Sequence, residues 1–164
     1  MNSTHYLGIG IQTSNKNLYH IGFLVRNSLK DNFKFIHYFE KKIQESPVVM
    51  LEQFFPNFSK EKQKEIIQII VKIQENNKEE IPFNFEKNYK NIFVAFKFNK
   101  ESEGLNCSTF ILSILSLANI NLLNSFVPNS DKDISWIIKE LGYFTNDMYR
   151  YPAKNVIKKL KEYK

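Results

Sequence analysis

Hydrophobic and polar positions alternate with a period of two over residues 6–13, 18–26 and 33–40, which is the period of a strand with one buried face. In the first run Leu7, Ile9 and Ile11 alternate with small residues, and its glycines suit close approach of a neighbouring backbone. In the second, Tyr19, Ile21, Phe23 and Val25 share one face and His20, Gly22 and Leu24 the other. The third carries Phe33, Phe35, His37 and Phe39 on one face. Residues 14–17 (Ser-Asn-Lys-Asn) read as a loop, and the polar stretch Asn27–Asn32 as a hairpin connection. Ile92, Val94, Phe96 and Phe98 predict a further strand over 91–98.

Between these strands the period changes. Ser46-Pro47 predicts a short helix to about Phe55, with serine as cap and proline at the first position. Pro56-Asn57-Phe58 breaks it, and Ser59 caps a longer helix to about Glu75 with Ile66, Ile70 and Ile73 as its stripe. Residues 76–90 are polar and irregular around Ile81-Pro82-Phe83. Asn106 caps a helix that runs to about Ala118 and is apolar on nearly every face, as a core helix is. Ser130–Gly142 predicts another helix, with Asp133 at capping-box spacing and Gly142 at its end, and Pro152 opens a last one bearing Val156, Ile157 and Leu160. Segregated strands and helices without repeats or linkers predict one α+β domain over 1–164.

Composition narrows the function classes. The 164 residues are 43% hydrophobic and 15% aromatic, enough for a real core and unlike a disordered chain. One cysteine excludes an internal disulfide, and no Cys/His set has zinc-ligand spacing, so neither a metal nor a cofactor is expected. The net charge of +6 comes from lysines scattered among glutamates, as in Lys60-Glu61-Lys62-Gln63-Lys64-Glu65. No aromatic-interleaved basic tract supports nucleic-acid binding. The start of the chain has no basic and apolar signal pattern and no run reaches transmembrane length. A cytoplasmic protein, or one exported without a cleaved signal, is expected.

The chemistry concentrates in four residues. Cys107 sits in the first turn of its helix, where the helix dipole and free N–H groups favour a thiolate. A lone cysteine is nevertheless more often a small buried hydrophobe. A turn centred between Ser28 and Leu29 sets His20 directly opposite His37, whereas a slip of one residue would place them on opposite faces. Cysteine, base and orienting group are the parts of a nucleophilic thiol site. Glu40 is the alternative orienting group, but it lies on the strand face away from His37. His5 reads as an N-terminal surface residue.

These residues carry a resemblance. His20-Ile21-Gly22-Phe23-Leu24-Val25, followed by Phe35-Ile36-His37, resembles the histidine hairpin of the NlpC-type papain-like superfamily. Asn106-Cys107-Ser108-Thr109-Phe110 resembles the start of its nucleophile helix. The order His, His, Cys is that of the circularly permuted branch, which includes YiiX-like proteins and the lecithin retinol acyltransferase family. Ile81-Pro82-Phe83-Asn84 and Tyr151-Pro152 are similar to weaker segments of the same group. Ser108 and Thr109 depart from the Glu-His of the acyltransferases, and Phe83 stands where the group has tyrosine. Residues 46–76 have no counterpart and read as a helical insertion.

The resemblance implies a permuted papain-like fold, an antiparallel sheet packed on the nucleophile helix. It implies Cys107 as nucleophile, His20 as base and His37 as orienting group, with a depressed thiol pKa. The Cys107 N–H is the natural first oxyanion donor. Gln12, from the segment before the His20 strand, is a candidate second donor, and Tyr19 and Ser108 are candidate lining residues. A cysteine hydrolase cleaving an amide in a peptide or cell-wall peptide is the leading expectation. An acyltransferase, thioesterase or phospholipase with the same triad, acting on an acyl substrate, and an inert binding module are the alternatives.

Overall fold

In a computed structural model the chain forms an α+β structure, described for residues 4–13, 19–48, 52–84, 86, 88–122 and 156–163. Strands β1 (Leu7–Thr13), β2 (Tyr19–Val25), β3 (Lys34–Phe39), β4 (Lys42–Pro47) and β5 (Glu52–Phe54) make an antiparallel sheet in the order β4-β3-β2-β1-β5. Helix α1 (Lys60–Asn76) follows, then a small hairpin of β6 (Phe93–Val94) and β7 (Lys97–Phe98), then α2 (Cys107–Leu117). Residues 156–162 are helical (α3).

The two sides of the sheet differ because strand residues alternate between faces. Leu7, Ile9, Ile11, Ile21, Phe23, Val25, Ile36 and Tyr38 join one buried cluster with the stripe of α1, with α2, and with Val156, Ile157 and Leu160 of α3. Phe23 meets Phe110 of α2 edge to face at 5.9 Å. Gln63 of α1 ties that helix to β1, accepting from the Tyr6 and Leu7 N–H groups and donating to the Phe58 carbonyl. Ser59 caps α1 through the Lys62 N–H, as its sequence predicts.

Three expectations change. Residues 46–55 are not a helix: Ser46 and Pro47 end β4, and 52–54 are β5. The expected helical insertion over 46–76 therefore reduces to α1. A two-residue turn at Glu40–Lys41, both at positive φ, folds the chain back onto β3 so that Phe35 pairs with Ser46 and His37 with Gln44. Proline is tolerated there because β4 is an edge strand. The single strand predicted over 91–98 is a short helical turn (Tyr89–Asn91) and a tight hairpin, with Ala95 and Phe96 at positive φ. Neither turn contains glycine, so composition does not announce them. The predicted loop 14–17, the helix Ser130–Gly142 and the Pro152 helix start lie outside the described residues.

The β2–β3 register is also offset. Phe23 pairs with Ile36 and Val25 with Lys34, two residues from the expected alignment. A slip of two keeps every side chain on its face, so the histidines become diagonal neighbours instead of direct partners.

Candidate active site

The start of α2 is held by a set of backbone and cap contacts. Asn106 Oδ1 accepts from the Ser108 and Thr109 N–H groups, and Thr109 Oγ1 accepts from the Asn106 N–H, which completes a capping box. Asn106 Nδ2 donates to the Asn84 carbonyl at 3.0 Å. Residues 82–84 run beside 104–105 as a parallel bridge, with the Leu105 N–H on the Pro82 carbonyl and the Asn84 N–H on the Leu105 carbonyl. Gly104 is obligatory here: its φ is +146°, and a Cβ would lie 2.3 Å from the Pro82 oxygen. Tyr38 of β3 anchors the same segment through the Ile81 carbonyl at 2.6 Å.

Cys107 is the first residue of this helix and is 3% exposed. Burial pushes its thiol above the ordinary value of 9.0, against hydrogen bonds from the Ile21 backbone, Ser108 and its own backbone that pull it down. A backbone group that lowers a thiol pKa is a donor, so Sγ faces the Ile21 N–H. That N–H lies in the plane of the sheet, one residue after His20. The expectation of a depressed thiol pKa is corrected: desolvation outweighs the helix start.

On the far side of the sheet from α1, His20 Nε2 lies 2.5 Å from His37 Nδ1. Diagonal residues are within reach of long side chains, and Gly22 makes room, since a Cβ there would lie 2.5 Å from the Phe35 ring and 2.8 Å from His37 Cβ. The Phe35 and Phe39 rings stack on His37 at 4.4 and 5.9 Å and meet His20 edge-on at 5.9 and 5.5 Å. This aromatic setting desolvates both imidazoles. His20 is lowered from 6.5 to about 3, by burial first and then by the charge of His37; His37 is lowered to about 4 by burial. Both rings are neutral at physiological pH, and so is the thiol.

His37 Nε2 continues to Ser46 Oγ of β4 at 2.9 Å. Sequence reading assigns Ser46 to a helix cap and misses this contact; Lys42–Pro47 carries no period-two signal, with Ile43 its one apolar residue before the proline, so the strand shows only once the turn at 40–41 is known. Gln12 pairs with His20 across β1–β2, which puts the two on one face. Tyr19 pairs with Thr13 at the start of β2. Ser108 is buried against the thiol. Glu40 sits in the exposed β3–β4 turn and gives way to His37 as the group on His20. His5 is half-buried with its ring 5.1 Å from Phe55, so it is not a free surface residue.

The structure thus brings His20, His37, Ser46 and Gln12 together, with Cys107 at the neighbouring backbone position. Among the described residues no hydrogen bond joins Sγ to either imidazole, and no group of three His, Cys, Asp or Glu residues could hold a metal ion. No helix among them is long and apolar enough to cross a membrane. A surface cleft of about 500 Å³ lies elsewhere, between the end of α1 and β7, lined by residues such as Asn77, Lys97 and Ser102. No protein-family model, curated protein or solved structure matches the chain.

Proposed function

We propose that the protein is a cysteine hydrolase of permuted papain-like type, cleaving an amide of a peptide or cell-wall peptide through a thioester on Cys107. The single observation that carries the reading is the direct His20–His37 contact on β2 and β3, with Sγ held at the backbone of the next residue, Ile21. Base and orienting group are then in direct contact on one face of the sheet, and the buried nucleophile lies at the backbone position next to the base.

The resting groups are neutral, so the chemistry is general-base catalysis and not attack by a standing thiolate. Sγ adds to the carbonyl carbon as its proton passes to His20, and His37 steadies the resulting imidazolium. The oxyanion forms beside the Cys107 N–H, because the Asn106 side chain already takes the Ser108 and Thr109 N–H groups. Gln12, directly across from His20, remains the candidate second donor by position alone. His20 returns the proton to the leaving amine as the C–N bond breaks. Water, losing a proton to His20, then adds to the thioester, and the carboxylic acid leaves as Sγ is released as a thiol.

The test is acetyl transfer from p-nitrophenyl acetate, followed by intact mass. A single acetyl group on Cys107, absent in Cys107→Ala and strongly reduced in His20→Ala, is the expected result. An unmodified wild-type protein, or labelling that ignores His20→Ala, overturns the reading.

A further inference from the structure

We propose that Ser46 is a positioning residue for the histidine pair: its hydroxyl accepts from the His37 Nε2–H and so holds both rings in the tautomer that leaves His20 Nδ1 a bare lone pair. Two neutral imidazoles carry two N–H groups on four nitrogens, and one hydrogen must lie in the contact between His20 Nε2 and His37 Nδ1. Two arrangements satisfy that count. In the first, both rings are protonated at Nε2: His20 donates to His37, and His37 donates to Ser46 Oγ, 2.9 Å away. In the second, both are protonated at Nδ1: Ser46 donates to His37 Nε2, and His37 donates to His20.

The Nε2–H tautomer is the intrinsically favoured form of a histidine side chain. The first arrangement uses it twice and the second not at all. Ser46 is placed within reach because Phe35 pairs with Ser46 and His37 with Gln44, setting its hydroxyl diagonally across β3–β4 from the His37 ring, and with His37 protonated at Nε2 that hydroxyl accepts. The contacts therefore run in one direction across three strands, from His20 on β2 through His37 on β3 to Ser46 on β4. Among the described residues no hydrogen bond takes His20 Nδ1, which is the nitrogen left to receive a proton. That last consequence rests on the acyl-transfer reading; the tautomer does not.

The experiment is nitrogen-15 NMR of the histidine rings in the whole protein, alongside Cys107 acetylation. In wild type both rings show a protonated Nε2 and a bare Nδ1. Ser46→Thr keeps the hydroxyl and the spectrum. Ser46→Ala moves the His37 and His20 ring shifts toward a mixture of tautomers and slows acetylation roughly tenfold at neutral pH. A protonated Nδ1 on His20 in wild type, or identical ring shifts in Ser46→Ala, overturns the role of Ser46. The wild-type spectrum and Ser46→Thr decide the matter even if Ser46→Ala does not fold. If the ring shifts behave as stated while wild-type Cys107 takes no acetyl group, the positioning role stands and the acyl-transfer reading falls.

Discussion

The two faces of the five-stranded sheet are built from the same strands and obey different rules. One face is a continuous apolar surface, Leu7, Ile9, Ile11, Ile21, Phe23, Val25, Ile36 and Tyr38, pressed against the helices. The other carries a polar relay, His20, His37 and Ser46, wrapped in Phe35 and Phe39. The first face holds the structure together by area removed from water. The second also removes polar groups from water, pairing His20 with His37 and His37 with Ser46, and its burial lowers both histidine pKa values, which ties its stability to pH. Cys107 belongs to the first face by packing and meets the backbone of β2 at Ile21, the residue after His20.

Substitutions should separate the two. Phe23→Ala, on the apolar face against Phe110, should cost about 3–5 kcal/mol in urea unfolding. Gly22→Val, on the relay face, should cost about 1–3 kcal/mol by overpacking against Phe35 and His37, and should abolish Cys107 acetylation out of proportion to the stability lost. A relay that still functions in Gly22→Val would show that the close strand approach does not matter.

Acid titration sharpens the contrast. Both histidines have folded pKa values below the ordinary 6.5, so below that pH the unfolded chain binds protons that the native state refuses. Their contribution to stability is present above about 6.5 and is lost as pH falls towards 4 and 3, with a slope approaching about 1.4 kcal/mol per pH unit for each ring. The raised thiol acts oppositely, losing stability as pH rises past 9.0. Urea unfolding between pH 4 and 7 checks the acid limb, and a flat profile would contradict buried neutral rings.

Smaller effects follow. Asn106→Ala removes the α2 cap and should cost about 0.5–2 kcal/mol in thermal or urea unfolding. Phe39→Ala, at a side chain that is 48% exposed, should change stability least and yet raise the histidine pKa values by admitting water, as read by ring NMR titration.

Much of this architecture was legible in the residues. Period-two alternation placed β1, β2 and β3 and put His20 and His37 on one face, and the two-residue register error did no harm because strand faces repeat every second residue. Ser59 and Asn106 marked their helices because capping is local chemistry. Ser46-Pro47 misled because serine followed by proline is also a helix start, and only the Glu40–Lys41 turn, made without glycine, turns the segment into a strand. The thiol departs from its sequence expectation for another reason. A helix start can be seen in sequence, while complete burial around Sγ depends on everything packed against it.

The central claim is that His20 of the central strand β2 acts as base toward Cys107, and the rate of Cys107 alkylation by iodoacetamide against pH tests it most directly. At neutral pH wild type should react roughly a hundredfold faster than His20→Ala, and the two rates should converge once the pH is high enough to ionise the thiol unaided. Equal rates across the whole range would show that the thiol and the histidine pair do not communicate, and would contradict the account.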